Sequence, residues 1–105
     1  MEPENAAILS GGSIGTHLQM GIGDGLIPAN LNLDIFEGTA IVSDEEALET
    51  SRRLIREEGI LCGIYSGTNV AAALRMAKEL GPGKTVVTVL PDTGERYFST
   101  ELFDF

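Results

Sequence analysis

Ile60-Leu61-Cys62-Gly63-Ile64-Tyr65-Ser66-Gly67-Thr68-Asn69-Val70-Ala71-Ala72-Ala73-Leu74-Arg75-Met76-Ala77 is the stretch on which the fold turns. A short apolar run gives way to a polar turn and then to an alanine-rich segment, which reads as strand, turn and helix. Gly81-Pro82-Gly83 stops the helix, and Thr85-Val86-Val87-Thr88-Val89-Leu90 comes next as a β-branched strand. Upstream, Thr39-Ala40-Ile41-Val42 reads as a buried strand, and Ser43-Asp44-Glu45-Glu46 has the spacing of a capping box. The helix that the box opens runs to about Glu58. Ala47, Leu48, Ser51, Leu54 and Ile55 recur at three- and four-residue spacing on one face, and Gly59 is placed to close the last turn.

Strands that alternate with helices imply an α/β fold with a parallel sheet and flanking helices. The expectation is strands at 39–42, 60–64 and 85–90, with helices at 44–58 and 68–80. The core is then expected to consist of Ile41, Leu54, Ile55, Ile60, Leu61, Val70, Leu74, Val87 and Val89. Before this β-α-β-α-β core (37–105), residues 1–36 read as a glycine-rich loop region, interrupted by Gly11, Gly12, Gly15, Gly21, Gly23 and Gly25. Only Ala6 to Leu9 has the look of a short helical turn. A loop-heavy stretch of this length binds something or packs against further protein. With 105 residues, 43% of them hydrophobic, the chain suits one core and is too short for two domains.

Sixteen acidic and seven basic residues give a net charge of −9, which repels phosphate backbones and anionic lipid surfaces. Neither nucleic acid nor membrane is an expected partner. No apolar run approaches the length of a bilayer span, and the acidic N-terminus is unlike a signal peptide. The single cysteine, Cys62, has no partner in the chain and lies in an apolar run. It suits a reducing, cytoplasmic setting and a buried structural role.

In open parallel sheets, ligands bind beyond the carboxyl ends of the strands. Two polar turns occupy such ends: Tyr65-Ser66-Gly67-Thr68-Asn69, which either caps its helix or holds an anionic or polar ligand, and Pro91-Asp92-Thr93-Gly94. Asp92 and Glu95 read as a carboxylate pair or, more simply, as part of a turn or an ion pair, since Arg96 and Tyr97 stand just beyond them. Gly21-Ile22-Gly23-Asp24-Gly25 fits no phosphate signature, so it is a loop that either turns tightly or lets backbone approach a ligand. His17 has no carboxylate beside it in sequence. No metal-ligand spacing is present.

Three segments carry a resemblance: Gly21-Ile22-Gly23-Asp24-Gly25-Leu26-Ile27-Pro28, Glu58-Gly59-Ile60-Leu61-Cys62-Gly63-Ile64-Tyr65-Ser66-Gly67, and Leu90-Pro91-Asp92-Thr93-Gly94-Glu95-Arg96-Tyr97. In order and spacing they resemble the cysteine synthase and cystathionine β-synthase family, over essentially the whole chain. The resemblance is to the C-terminal third only, a single segment (1–105) of the large domain of a fold type II pyridoxal-phosphate enzyme. It implies β-replacement on O-acetylserine or a similar activated serine, with sulfide as nucleophile and pyridoxal phosphate as cofactor. It also implies a ring-nitrogen contact at Tyr65, where the family has a serine, or at Ser66, and a substrate-side backbone at Gly21, Ile22 and Gly23. The Schiff-base lysine and the phosphate cradle would lie before Met1, so the resemblance assigns no catalytic residue to this chain. Lys78 and Lys84 read as surface residues. The chain is therefore expected to be inactive alone and to need a complementary N-terminal portion or subunit, the complete enzyme being a homodimer. The alternative is a non-catalytic remnant that serves as a protein-binding or regulatory module.

Overall fold

The computed structural model describes residues 2–3, 30, 34, 38–97 and 102. Its elements, among the described residues, are β1 (Glu2–Pro3), β2 (Ile41–Val42), α1 (Asp44–Glu58), α2 (Ile64–Leu80) and a 3-10 turn (Gly94–Tyr97). β1 and β2 pair in parallel, Glu2 opposite Ile41 and Pro3 opposite Val42. The helical turn expected at 6–9 lies outside the described residues.

α1 begins where the sequence places it. The Ser43 hydroxyl accepts the Glu46 N–H at 3.1 Å, and the Glu46 carboxylate accepts the Ser43 N–H at 3.1 Å, so two of the helix's orphan donors are satisfied reciprocally. Asp44, Glu45 and Glu46 put negative charge at the positive end of the helix dipole. Gly59, with φ 68° and ψ 23°, closes the other end in the left-handed conformation. Glu46 also holds α2: both its oxygens take Arg75 Nη2, at 3.0 and 2.9 Å, while Arg75 Nη1 donates to the Ile41 carbonyl at 2.7 Å. One guanidinium thus ties β2, α1 and α2 together. The Arg53–Glu57 and Arg56–Glu49 pairs are exposed and contribute little.

The two helices pack closely because α2 has no side chain at Gly67. A Cβ there would overlap the Ser51 hydroxyl and the Ala47 carbonyl of α1. Glycine inside a helix costs about 1 kcal/mol relative to alanine. Here the close approach outweighs that cost, and it explains why so helix-poor a stretch as 64–68 is helical. The Ser51 hydroxyl, wholly buried, donates to the Gly63 carbonyl at 2.8 Å and fastens the start of α2 to the middle of α1. Thr68, also buried, donates from its hydroxyl to the Ile64 carbonyl one turn back.

Among the described residues, the core is Val42, Ala47, Leu48, Ile64, Tyr97 and Leu102, with Ala71 and Ala72 against it. Arg52 Nε donates to the Leu102 carbonyl at 3.0 Å and holds that residue over α1. Much of the core expected from the sequence is not there. Ile41, Ile60, Leu61, Leu74, Val87 and Val89 are exposed, Val87 at 85%, while Leu54, Ile55 and Val70 are half-buried.

The expected strands differ as well. Residues 60–64 form no strand: Ile64 opens α2, four residues earlier than expected, and Cys62 makes only an isolated antiparallel bridge to Thr93. Residues 85–90 have no strand partner among the described residues. They are anchored by the Asn69 side-chain amide, which donates to the Val89 carbonyl at 2.9 Å. A strand exists only by pairing, and β-propensity supplies no neighbour. An open trough of about 560 Å³ lies between residues 38–40, the Ala72–Ala73–Met76 face of α2 and residues 86–88.

Gly67→Ala tests the helix contact. Propensity alone would stabilise the protein, but overlap with Ser51 and Ala47 should destabilise it by about 1–3 kcal/mol, as overpacking does, in urea denaturation. Leu48→Ala, at a site only 8% exposed, should cost about 2–5 kcal/mol and clearly more than Leu54→Ala at its half-buried site.

Candidate functional site

α2 starts without a cap of its own. Gly63 stands at its N-cap in extended conformation (φ −95°, ψ −175°) and has no side chain with which to accept the first N–H groups. The acceptor comes from a residue far along the chain. Asp92 Oδ2 accepts the Tyr65 N–H at 3.0 Å, and Oδ1 accepts the Ser66 N–H at 2.9 Å. The Ser66 hydroxyl donates to Oδ1 at 2.6 Å and leans on the Asp92 carbonyl at 3.2 Å, and the Tyr97 hydroxyl donates to Oδ2 at 2.6 Å. Each carboxylate oxygen therefore takes two donors, which fills the acceptor sites a carboxylate offers. Its negative charge lies at the positive end of the α2 dipole.

The surrounding backbone brings Asp92 into place. The Gly63 N–H donates to the Asp92 carbonyl at 3.3 Å, the Gly94 N–H donates to the Leu61 carbonyl at 3.2 Å, and Cys62 bridges Thr93. Segments 61–63 and 92–94 are thus laced edge to edge. A Cβ at Gly63 would overlap the Tyr97 ring and the Asp92 carboxylate, so only glycine lets the cap close. Asp92, Ser66 and Tyr97 are all buried, at 7%, 0% and 6% exposure. Among the described residues, no buried side-chain nitrogen or oxygen is without a hydrogen-bond partner.

Cys62 sits beneath this network, 1% exposed, with its Sγ 4.0 Å from the Ser51 carbonyl. Burial pushes the thiol above its ordinary value of 9.0, and the Asp92 carboxylate pushes in the same direction, against a smaller opposing pull from a backbone hydrogen bond. A protonated, enclosed thiol is a packing residue and a poor nucleophile.

The sequence-derived site residues divide three ways. Tyr65 and Ser66 lie side by side in the first turn of α2. The Ser66 hydroxyl is enclosed and committed to Asp92, whereas Tyr65 is half-buried and gives that carboxylate its backbone N–H. Gly21, Ile22, Gly23 and His17 lie outside the described residues. Asp92 and Glu95 do not form a carboxylate pair: Asp92 is the cap of α2, and Glu95 is exposed. The sequence reading misses this role because it places the helix start at 68, beyond a polar turn able to cap it, whereas the helix opens at Ile64 on an N-cap glycine. Lys78 and Lys84 are exposed, and Lys78 stands at the far end of α2. No three His, Cys, Asp or Glu side chains among the described residues could share a metal ion. No helix among them is long and apolar enough to cross a membrane.

Comparison with known proteins identifies the family of the chain. Residues 1–92 match the family model described as pyridoxal-phosphate dependent enzyme. The chain is 53% identical to a cysteine synthase of Staphylococcus aureus over 105 residues, 100% of this chain and 34% of that protein. A probable cysteine synthase of Bacillus subtilis is 48% identical over the same span and coverage. Among solved structures, a cysteine synthase of Entamoeba histolytica superposes with a TM-score of 0.92 at 36% identity, covering 99% of this chain and 31% of that one. An O-ureido-L-serine synthase superposes with a TM-score of 0.92 at 42% identity, covering 98% and 33%. The chain belongs to the family of pyridoxal-phosphate dependent enzymes, and its backbone is that of their cysteine synthase-type, fold type II members. It spans about a third of the length of the curated relatives it matches.

The Cys62 environment makes a pH prediction. A thiol whose pKa is higher in the folded than in the unfolded chain stabilises the fold fully below its unfolded value. That contribution is lost as pH rises through the folded one. Unfolding free energy should therefore fall as the solution is made alkaline past the thiol's ordinary value of 9.0. Cys62→Ala should flatten the decline, measured by urea denaturation across pH.

Proposed function

We propose that this chain is part of a cysteine synthase-type enzyme that replaces the β-substituent of O-acetylserine, or a similar activated serine, with sulfide. The observation that carries the reading is identity of 53% to a cysteine synthase along the whole of this chain, against only 34% of that protein's length. The activity accordingly needs a complementary N-terminal portion or subunit, and the complete enzyme is a homodimer in the reducing cytoplasm. Unpaired, buried Cys62 supports that setting. The trough beside residues 86–88, together with exposed Val87 and Val89, offers the complementary portion a surface. With it, segments 39–42 and 85–90 would complete a parallel sheet.

The start of α2 fits one end of pyridoxal phosphate and not the other. The Tyr65 and Ser66 N–H groups, which could otherwise receive a phosphate, already serve Asp92, and the Ser66 hydroxyl is enclosed. Tyr65 fits the ring end: its phenol can donate a hydrogen bond to a pyridine nitrogen and is partly accessible. When bound, the cofactor supplies the electron sink on which β-replacement depends. The work of this chain is to present Tyr65 on a fixed helical turn and, through Gly21, Ile22 and Gly23, to offer backbone on the substrate side. Phosphate and lysine contacts come from the complementary portion.

A second reading, a non-catalytic protein-binding module, draws on the same exposed apolar segment. Reconstitution separates the two. Mixed with a complementary N-terminal portion, the chain should yield the visible absorbance of bound cofactor and sulfide-dependent turnover of O-acetylserine. The chain alone should give neither, binding the cofactor only weakly. A complex with neither absorbance nor turnover would leave the second reading standing.

A further inference from the structure

We propose that Asp92 is a positioning residue for the cofactor's ring, acting through the first turn of α2. The inference rests on the reading that Tyr65 meets the ring in the assembled enzyme.

Asp92 is 7% exposed and has every oxygen occupied from within the chain, so it touches no ligand itself. What it fixes is the pair of amides at Tyr65 and Ser66, which flank the Tyr65 Cα. A planar carboxylate that holds two consecutive N–H groups, one per oxygen, leaves the intervening residue little rotation about its backbone bonds. The direction in which the Tyr65 side chain leaves the helix is set by that. Nothing nearer could do this, because Gly63 at the N-cap has no side chain and must have none. Asp92 is held in turn by the Tyr97 hydroxyl and the 61–63/92–94 lacing, so the ring-facing turn is referenced to the body of the protein across 26 residues of sequence. Enzymes tolerate little looseness in such placement, and a displacement of about 1 Å at a contact residue is enough to cost much of its effect.

The geometry also gives the order in which substitutions should act. In Asp92→Asn, one oxygen becomes an NH₂ group. Whichever side it takes, a donor then faces a backbone N–H that cannot accept, that of Tyr65 or that of Ser66, while the hydroxyl on the same side has to turn round and accept. The turn must shift. Tyr97→Phe removes one donor from Oδ2 and leaves both amides held, so its effect has the same sign and a smaller size.

The experiment uses the enzyme assembled from this chain and its complementary portion. Pyridoxal phosphate is titrated into wild type, Asp92→Asn and Tyr97→Phe, and melting temperatures of the cofactor-free assemblies are recorded alongside. Asp92→Asn should weaken cofactor binding by about tenfold, the scale set by a hydrogen bond to a charged group. It should also change the position of the bound cofactor's visible band and the pH at which that band changes, with Tyr97→Phe intermediate. A purely structural cap would lower the melting temperature and leave band and pH profile at wild-type values, and that result would overturn the proposal. If Asp92→Asn does not assemble, Tyr97→Phe decides: a band and pH profile identical to wild type sink the idea, and a shift in both supports it. A wild-type assembly with no cofactor band would instead overturn the functional reading, and this inference with it.

Discussion

A carboxylate at the head of a helix holds this structure together. α2 has to begin on glycine, because any side chain at position 63 would strike the Tyr97 ring and the Asp92 carboxylate. A helix that begins on glycine has no local acceptor for its first N–H groups, and buried donors without acceptors cost about 1–3 kcal/mol each. Asp92 resolves both constraints at once, and in doing so brings the loop after residue 90 against the loop after residue 60. The burial of Cys62, the seat of Tyr97 in the core and the exclusion of Ser66 from solvent all depend on that closure.

How much of this is legible in the sequence depends on the distance over which each feature is decided. The capping box of α1 is a four-residue affair, and its boundaries are those that the spacing of Ser43 and Glu46 implies. The start of α2 is set by a residue 26 positions downstream and by the glycine-to-backbone contact with α1, neither of which leaves a periodic trace. So Ile64 and Tyr65 read as the end of a strand and a turn, when they are the first residues of a helix. The expected core departs from the observed one for a related reason. The apolar run at 60–64 and the largely β-branched run at 85–90 signal burial on both faces of a sheet, and among the described residues no sheet covers them. Val42, Ala47 and Leu48 are apolar positions on the expected strand and helix, but Tyr97 and Leu102 join the core only through long-range folding.

The candidate site is visible in the sequence as a pair and not as a choice. Tyr65 and Ser66 are adjacent, and the resemblance admits either as the ring-facing group. Their environments differ: the Ser66 hydroxyl is sealed under Asp92, while Tyr65 as a residue is half-buried. Burial in the folded chain, which no sequence pattern encodes, is the property that distinguishes them. The cysteine synthase relatives are matched along the whole chain and for only a third of their own length.

The segment 85–90 has a consequence for how the chain must be handled in a cell. Five successive β-branched residues and a leucine, with no charge and no proline, form no strand among the described residues and, Val86 apart, lie exposed, tied only at the Val89 carbonyl by Asn69. Such a run can recruit an identical run from another molecule and stack into cross-β order. Lys84 immediately before it and Pro91 immediately after it act as gatekeepers, a charge and a chain-breaker at the two ends of the hazard. They confine the sticky stretch without removing it. Protection from self-association therefore falls to whatever covers the segment first.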